Sequence, residues 1–285
     1  MGVYMKEINE KYNILKSNLL RCGKVLVAFS GGTDSTFLLK TARDVLGEGA
    51  IAITALSPIY VQKEIMITKE FTKALGIKHI LLEINHFKLK EFTDNSPDRC
   101  YYCKKELFKR LKDIAMNENV KIIIDGTNSD DKKDYRPGLR AVMEEDIYSP
   151  LADAELTKEE IRFLAKGIGL SNCDRPAQSC LATRIPYDKK IRLEDIERID
   201  KAEKVLMEIG LRQVRVRLHE DIARIEIGIE ERRGFLTEAF MDIIVNRFKE
   251  LGFKYITLDL EGYRTGSLNE MLEKNQGRSQ TMPLQ

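Results

Sequence analysis

The chain has almost no net charge. Its 47 lysine and arginine side chains are nearly balanced by 45 aspartate and glutamate side chains, which leaves a formal net charge of +2 over 285 residues. A strongly basic protein attracts nucleic acid and anionic membranes through its overall field, and this chain lacks such a field. We therefore expect no nucleic-acid partner, and any anionic ligand must be bound by a few locally placed groups.

Long apolar runs and cysteines are also scarce. No run approaches the ~18 residues of a membrane span, and the start MGVYMKEINEKY lacks the apolar core of a signal peptide. We expect a cytoplasmic protein without a membrane partner. Because thiols stay reduced in that compartment, the five cysteines are candidates for metal binding or catalysis rather than for disulfides.

Residues 24–150 alternate short apolar runs with amphipathic stretches. The runs are typical of strands that are covered on both faces: KVLVAFS, AIAITALS, HILLEIN and VKIIIDGT. The stretches between them have the apolar spacing of helices, and the first of these helices is expected to end at Gly47. Such units predict a doubly wound α/β fold with a parallel five-stranded sheet, which binds ligands at the carboxyl ends of its strands.

A second, smaller domain is expected after an irregular segment. Thr157 and Glu160 have the spacing of a helix-capping box, and the segment SNCDRPAQSCLATRIPYDKK follows that helix. Beyond it, a helix pattern, two alternating strands in QVRVRLHEDIARIEIGI, another helix and the strand KYITLDL predict an α+β domain. We predict domains at 1–172 and 173–272, and a flexible tail at 273–285.

A glycine pair follows the first predicted strand. Two glycines let the backbone approach a ligand closely, and the amides and hydroxyls at a helix start can bind an anion. No lysine follows the second glycine, so this is not the G-x-x-x-x-G-K-[ST] phosphate loop. We predict a pyrophosphate-binding turn, with Asp34 as a candidate for holding Mg²⁺; the turn consists of Ser30, Gly31, Gly32, Thr33, Asp34 and Ser35.

Two cysteines are three positions apart in DRCYYCKKELF. Cys100 and Cys103 lie at the start of a helix pattern, where backbone amides and nearby basic side chains favour thiolates. With Cys180, which lies in a proline-bounded loop, they offer three thiolates, one short of a closed four-cysteine site. A [4Fe-4S] cluster with one open iron is one interpretation, and a structural zinc half-site or a redox pair are the others. Cys22 and Cys173 are interpreted as packing residues, with Cys173 as an alternative ligand.

The predicted strand QVRVRLH alternates in character. Its aliphatic residues point one way, so Arg215 and Arg217 share the opposite face. Guanidinium groups suit phosphates and carboxylates. A solvated strand face, paired with the acidic residues of HEDIARIEI, is an equally good interpretation.

The loop SGGTDS resembles that of the PP-loop ATP pyrophosphatases. That resemblance implies a HUP-like sheet and an enzyme that splits ATP into AMP and pyrophosphate in order to adenylate a substrate oxygen. It also implies ATP contacts after the second and fourth strands, at Ala55, Leu56, Ser57, Asp125, Gly126 and Thr127.

Five segments together resemble the LarE family, from about residue 20 to 272: SGGTDS, SPDRCYYCKKELF, DGTNSDD, PAQSCLATRIPY and LDLEGYRTGSLNE. The resemblance implies ATP-dependent sulfur insertion into pyridinium-3,5-biscarboxylic acid mononucleotide, in the biosynthesis of the nickel-pincer nucleotide cofactor. Cys180 matches the cysteine that single-cysteine members sacrifice as sulfur donor. Cys100 and Cys103 resemble the three-cysteine branch, in which a cluster carries the sulfur.

The same resemblance implies a basic substrate pocket and an assembly. Arg184 and Glu203 belong to the implied pocket, together with the Arg215 face. The implied partners are a nucleotide substrate, a sulfide donor and further copies of the chain in a trimer or hexamer. Two other functions remain open: a tRNA-thiolating PP-loop protein, and a non-catalytic sensor that binds zinc and a nucleotide. The low net charge disfavours the first.

Overall fold

The computed structural model describes residues 2–133, 137–170, 178–232, 237–264 and 266–268. The chain divides into two compact units, Met1–Gln178 and Ser179–Gln285. The predicted boundary at residue 173 and the predicted tail both lie outside the described residues. Among the described helices, none combines the length and apolar character that crossing a membrane requires.

The first unit is built on a parallel sheet with the strand order β3-β2-β1-β4. The continuous apolar runs of the sequence form these strands, because both faces of the sheet are covered. In register, Val25 is aligned with Ala50 and with Ile122. The strands are β1 (Val25–Ala28), β2 (Ala50–Leu56), β3 (Lys78–Glu83) and β4 (Ile122–Ile124).

Helices cover both faces of this sheet. Alternate residues of β1 enter different cores: Val25 and Val27 pack with side chains of α1, α2 and α8, whereas Leu26 packs with those of α5 and α6. This alternation confirms the doubly wound arrangement. The helices are α1 (Gly2–Cys22), α2 (Thr33–Leu46), α3 (Gln62–Ala74), α4 (Lys90–Thr93), α5 (Arg99–Asn117), α6 (Pro137–Glu144), α7 (Pro150–Asp153) and α8 (Lys158–Gly167).

Two local signals in the sequence are confirmed. Helix α2 ends at Leu46, and Gly47 follows it with φ 58°, a conformation that glycine adopts without strain. Helix α8 begins with the predicted capping box, in which Thr157 and Glu160 satisfy each other's backbone N–H groups.

The sequence analysis predicts five strands, whereas the described residues of this unit form four. In place of a fifth strand, Tyr148 makes a single parallel bridge to Ile124. Its N–H donates to Ile123 O (3.0 Å), and its carbonyl accepts from Asp125 N (3.0 Å). Pro150 begins α7 two residues later, so the extended segment is too short to form a strand.

The strand order reverses at β1. The chain first adds β2 and β3 on one side of β1, and then returns to add β4 on the other side. A crevice opens at such a reversal, at the carboxyl ends of the strands, and ligands of open α/β sheets bind there. The loops that follow β1 and β4 therefore border the expected binding site.

The second unit is a smaller α+β fold. Its sheet has the order β5-β6-β7, with β5 and β6 antiparallel and β7 parallel to β6. These elements agree with the predicted pattern: α9 (Leu193–Glu208), β5 (Val214–His219), β6 (Ile222–Ile227), α10 (Glu238–Glu250) and β7 (Tyr255–Leu258).

Candidate functional site

The loop after β1 is a tight turn that leads directly into α2. Gly31 has φ 80°, a conformation that favours glycine, and a Cβ atom there would lie in tight contact with Thr68 Cγ2 (3.0 Å). Gly32 caps α2 with an extended backbone, and its carbonyl accepts from Ser35 Oγ (3.1 Å). Ser30 Oγ lies 3.0 Å from Ser35 Oγ. The loop is thus a preformed turn at a helix N-terminus, which is where anions bind in α/β proteins.

The loop after β4 touches this turn. A Cβ atom at Gly126 would lie 3.0 Å from Ser35 N and 3.2 Å from Ser35 Cα. A side chain at position 126 would therefore require the main chain at Ser35 to move by a few tenths of an ångström. The predicted nucleotide residues after β1 and β4 are therefore brought together at the point where the strand order reverses.

Asp125, at the end of β4, holds its own loop in place. Its Oδ1 accepts from Thr127 N (3.2 Å) and Ser149 Oγ (2.7 Å), and its Oδ2 accepts from Thr127 Oγ1 (2.6 Å). Lys104 Nζ lies 3.8 Å from Asp125 Oδ2. Ser149 precedes α7 and Lys104 lies in α5, and the sequence analysis did not predict that either side chain lies beside Asp125.

Asp34 is partly buried in the first turn of α2. Burial raises its pKa, and a hydrogen bond from Asn128 Nδ2 (2.8 Å) opposes that rise. Asn128 is itself fully buried and exchanges hydrogen bonds with Asp131. The sequence analysis missed Asn128, although it directly follows the predicted Asp125–Thr127 group.

Three predicted nucleotide contacts end β2 on the same edge of the sheet. Ala55 and Leu56 are half-buried, and Ser57 is buried. Ser57 Oγ lies 2.9 Å from Nδ1 of His86, which is fully buried. Burial lowers the pKa of His86 to about 4, so its side chain is neutral at pH 7.

Cys100 and Cys103 lie in the first turn of α5. Residues three apart on a helix are neighbours, so the two side chains share a face, and both are half-buried. Tyr101 OH donates to Glu144 Oε2 (2.6 Å), which ties this turn to α6.

Four of the five cysteines are described, and all four are thiols. Cys22 packs against the main core, its Sγ donates to Asn18 O (3.2 Å), and burial raises its pKa, in agreement with a packing role. Cys173 lies outside the described residues. Within the described part of the chain, no group of three or more His, Cys, Asp or Glu side chains is arranged to hold a metal ion.

Cys180 belongs to the second unit, in a turn that Arg184 organises. Arg184 is fully buried and forms a two-pronged pair with Glu203, from Nε to Oε1 (2.8 Å) and from Nη2 to Oε2 (3.1 Å). Its Nη1 lies within hydrogen-bond distance of four oxygen atoms of the turn, belonging to Ser179 (O and Oγ), Cys180 (O) and Thr183 (Oγ1). Arg184 therefore fixes the backbone on both sides of Cys180.

The arginine face of β5 is buried rather than solvated. Arg215 is 3% exposed and Arg217 is 8% exposed. Arg217 pairs with Glu226 of β6 (Nε to Oε1, 2.9 Å; Nη2 to Oε2, 3.0 Å), and its Nη1 donates to Thr183 O (2.6 Å). The predicted pairing with an acidic residue of HEDIARIEI is thus confirmed. The interpretation of a solvated strand face is wrong, because Arg215 and Arg217 are buried.

Arg215 lies in the same buried, positively charged environment. Burial, and then the charges of Arg184 and Arg217, lower its pKa, and Glu203 opposes that change. Its guanidinium carbon lies 5.2 Å from the centroid of the Tyr263 ring.

The strand order and the Ser-Gly-Gly turn after β1 define a nucleotide-binding protein of the PP-loop type. The chain is 38% identical to pyridinium-3,5-bisthiocarboxylic acid mononucleotide synthase of Lactiplantibacillus plantarum, over 89% of the chain and 91% of that protein. The chain belongs to the LarE family, as that similarity shows.

Two other relatives have different degrees of similarity. An uncharacterized protein of Synechocystis sp. is 41% identical, over 88% of the chain and 94% of its own length. The tRNA-specific 2-thiouridylase MnmA of Treponema denticola is 30% identical, over only 54% of the chain and 52% of its own length. No family model matches the chain.

Proposed function

We propose that the chain is an ATP-dependent sulfur transferase that converts a carboxylate of pyridinium-3,5-biscarboxylic acid mononucleotide into a thiocarboxylate. The main support is the contact of Gly126 with Ser35, which joins the two predicted nucleotide loops at the edge of the sheet. Membership of a family that includes a bisthiocarboxylic acid mononucleotide synthase supports the choice of substrate.

The first step is adenylation. A carboxylate oxygen of the substrate attacks the α-phosphorus of ATP, the bond from that phosphorus to the bridging oxygen breaks, and pyrophosphate leaves. The main-chain amides and hydroxyls of Ser30–Ser35 bind the departing pyrophosphate. Mg²⁺ neutralises phosphate charge when it is bound, and Asp34 is the side chain proposed to hold it. Ala55–Ser57 and Asp125–Thr127 contact the rest of the nucleotide.

The second step is sulfur transfer. A sulfur nucleophile attacks the carbonyl carbon of the adenylated carboxylate, and AMP leaves with the bonding electron pair. Arg215 and Arg217 are proposed to supply positive charge to the pocket that binds the anionic groups of the substrate. Arg184 and Glu203 complete that pocket and hold the turn of Cys180.

Cys100, Cys103 and Cys180 are proposed to hold a [4Fe-4S] cluster. The first two fit as ligands, because they are half-buried thiols on one face of a helix start. The three thiolates would hold such a cluster, and the cluster would supply a binding site for hydrosulfide from a sulfide donor. We further propose that the protein acts in the cytoplasm as a trimer-based oligomer, which light scattering tests.

Iron analysis and turnover test the proposal together. Protein purified without air should contain iron and sulfide, and Cys100→Ala, Cys103→Ala and Cys180→Ala should each lose both. Cys22→Ala is the matched control and should keep them. The wild type should form AMP and pyrophosphate only when the dicarboxylated nucleotide is present. If the protein contains no iron and Cys180 loses the mass of one H₂S during turnover, the cluster proposal is wrong and Cys180 itself is the sacrificed sulfur donor.

The two alternatives predict other results. A tRNA-thiolating enzyme requires tRNA for ATP cleavage, and the similarity to MnmA covers only about half of each chain. A sensor would contain zinc at Cys100 and Cys103 and leave bound ATP uncleaved. Zinc content and the nucleotide products distinguish these functions from the proposed one.

A further inference from the structure

A line of polar side chains crosses the parallel sheet and ends beside the predicted pyrophosphate-binding turn. His79 of β3 is aligned with Ala52 of β2, so Thr54 lies diagonally across from it on the same face. His79 Nε2 lies 2.8 Å from Thr54 Oγ1, and His79 Nδ1 lies 2.9 Å from Oγ1 of Thr72 in α3. The half-buried imidazole also lies beside the Phe29 ring, with 6.2 Å between the ring centroids. His79 therefore joins β2 and α3 next to the residue that precedes the turn.

Thr54 connects His79 to the turn. The Thr54 hydroxyl belongs to a buried side chain and donates to Phe29 O (2.8 Å). Phe29 O and the N–H of Ser30, the first residue of the turn, belong to one planar trans peptide, so they point in opposite directions. Because the carbonyl is bonded on the β2 side of β1, the Ser30 N–H is directed toward the β4 side. The loop that follows β4 borders the turn on that side.

The position of the hydrogen on the His79 ring follows from these contacts. A carbonyl oxygen only accepts, so the Thr54 hydroxyl gives its one proton to Phe29 O and accepts from the ring. Nε2 of His79 therefore carries the hydrogen. Burial, and then the charge of Lys69, lower the pKa of His79, so the ring is neutral at pH 7. In that state Nδ1 accepts from the Thr72 hydroxyl.

We infer that His79 is a positioning residue for phosphate binding, because its Nε2–H group holds the Thr54 hydroxyl on the Phe29 carbonyl. This anchor fixes the direction of the Ser30 N–H before a ligand arrives. A peptide unit without the anchor has more conformational freedom, and ordering it when the ligand binds costs affinity. The inference rests on the proposed function, which assigns the phosphates of ATP to the turn.

Binding of α,β-methylene ATP, measured by calorimetry, tests the role without a second substrate. The amide nitrogen of glutamine can take the place of Nε2, whereas the shorter asparagine reaches only the position of Nδ1. His79→Gln should therefore bind the analogue with an affinity close to that of the wild type. His79→Asn should bind it about three- to tenfold more weakly, as expected when one neutral hydrogen bond is lost. Equal affinities of the two variants would overturn the inference.

Two threonine variants separate positioning from general stability. Thr72→Val removes the hydroxyl on the other side of the ring, so it should lower the thermal midpoint without weakening binding of the analogue. Thr54→Val should weaken binding about as much as His79→Asn does. The double variant of Thr54→Val and His79→Asn should show no further loss, because both changes remove the same anchor. Additive losses, or an equal loss in Thr72→Val, would contradict the assigned role.

The hydrogen on the ring provides a test that needs no nucleotide. Nitrogen NMR of the ligand-free wild type at pH 7 should show a neutral histidine with its hydrogen on Nε2, and this signal should be missing from His79→Gln. A hydrogen on Nδ1 instead would overturn the inference. If the wild type binds the analogue but forms no AMP with the dicarboxylated nucleotide, the proposed function fails, whereas the affinities of the His79 variants still decide the role of His79.

Discussion

At Asp34, stability and function make opposite demands. Burial raises the pKa of this carboxyl, so the ionised form is disfavoured by its surroundings. A carboxyl whose pKa is higher in the folded state than in the unfolded chain lowers the free energy of unfolding at pH values above its folded pKa. This destabilisation disappears as the pH falls through the folded pKa toward the unfolded one. We propose that the charge of Asp34 helps to bind the nucleotide.

Asp34→Asn should therefore stabilise the nucleotide-free protein while it reduces AMP formation. The amide oxygen can still accept from Asn128 Nδ2, and the buried charge is gone. We expect a gain of about 1 kcal/mol at pH 7, measured by urea unfolding. The gain should shrink at acidic pH, where Asp34 is protonated. A loss of stability at pH 7 would contradict this account.

His86 should make the protein less stable in mild acid. Its pKa is about 6.5 when unfolded and about 4 in the fold, so the unfolded chain binds more protons between these values. The free energy of unfolding should fall by about 3 kcal/mol as the pH decreases across that window. His86→Asn, which can still bond to Ser57, should remove this part of the pH dependence.

The other two histidines also affect how stability depends on pH, so the wild type must be compared with His86→Asn. Burial also lowers the pKa values of His79 and His219, so they contribute to the same acid sensitivity. Both remain in His86→Asn, and subtracting the two pH profiles isolates the contribution of His86. Parallel profiles would mean that His86 is not protonated on unfolding in this range.

Among the elements, α9 and β5 are joined through one carboxylate. Glu203 Oε1 accepts from Val216 N (3.0 Å) as well as from Arg184. Glu203→Ala should lower the free energy of unfolding by about 3–5 kcal/mol, because Arg184 is left as a buried, unpaired charge. Urea unfolding measures this effect.

Glu208→Ala is the matched control on the same helix. Glu208 pairs with Arg247 on the surface (3.1 Å), and such exposed pairs contribute at most about 1 kcal/mol. If both variants lose the same stability, the buried pair is not what joins α9 to β5.

Elements were predictable where their signals are local. The apolar runs predict β1 to β4, Gly47 predicts the end of α2, and Thr157 with Glu160 predicts the start of α8. The sequence did not show that Tyr148 forms only a single bridge, because a strand and a short extended segment have the same local pattern. The extended segment is short because Pro150 starts the next helix.

The sequence identified candidate site residues but not the partners with which they pair. Sequence patterns identify Asp34 and Arg217, because a glycine pair or a strand alternation surrounds them. Their partners are remote: Asn128 lies 94 positions from Asp34, and Ser267 lies 50 positions from Arg217. Only the course of the folded chain brings such groups together.

For the whole molecule, the charge balance predicts weak binding to tRNA. With a net charge of +2, few phosphates can be neutralised, so the affinity for tRNA should be weak and almost independent of salt. Fluorescence anisotropy of labelled tRNA between 50 and 200 mM salt measures this. A steep decrease in affinity with salt would indicate a local basic surface and favour the thiouridylase-like function.

The turn around Cys180 is anchored in a way that does not depend on its sulfur. Arg184 and Arg217 reach main-chain carbonyls and hydroxyls on either side of the thiol. None of these contacts involves the sulfur atom itself. Alkylation of Cys180 should therefore leave the conformation of the turn, and the thermal midpoint of the protein, nearly unchanged.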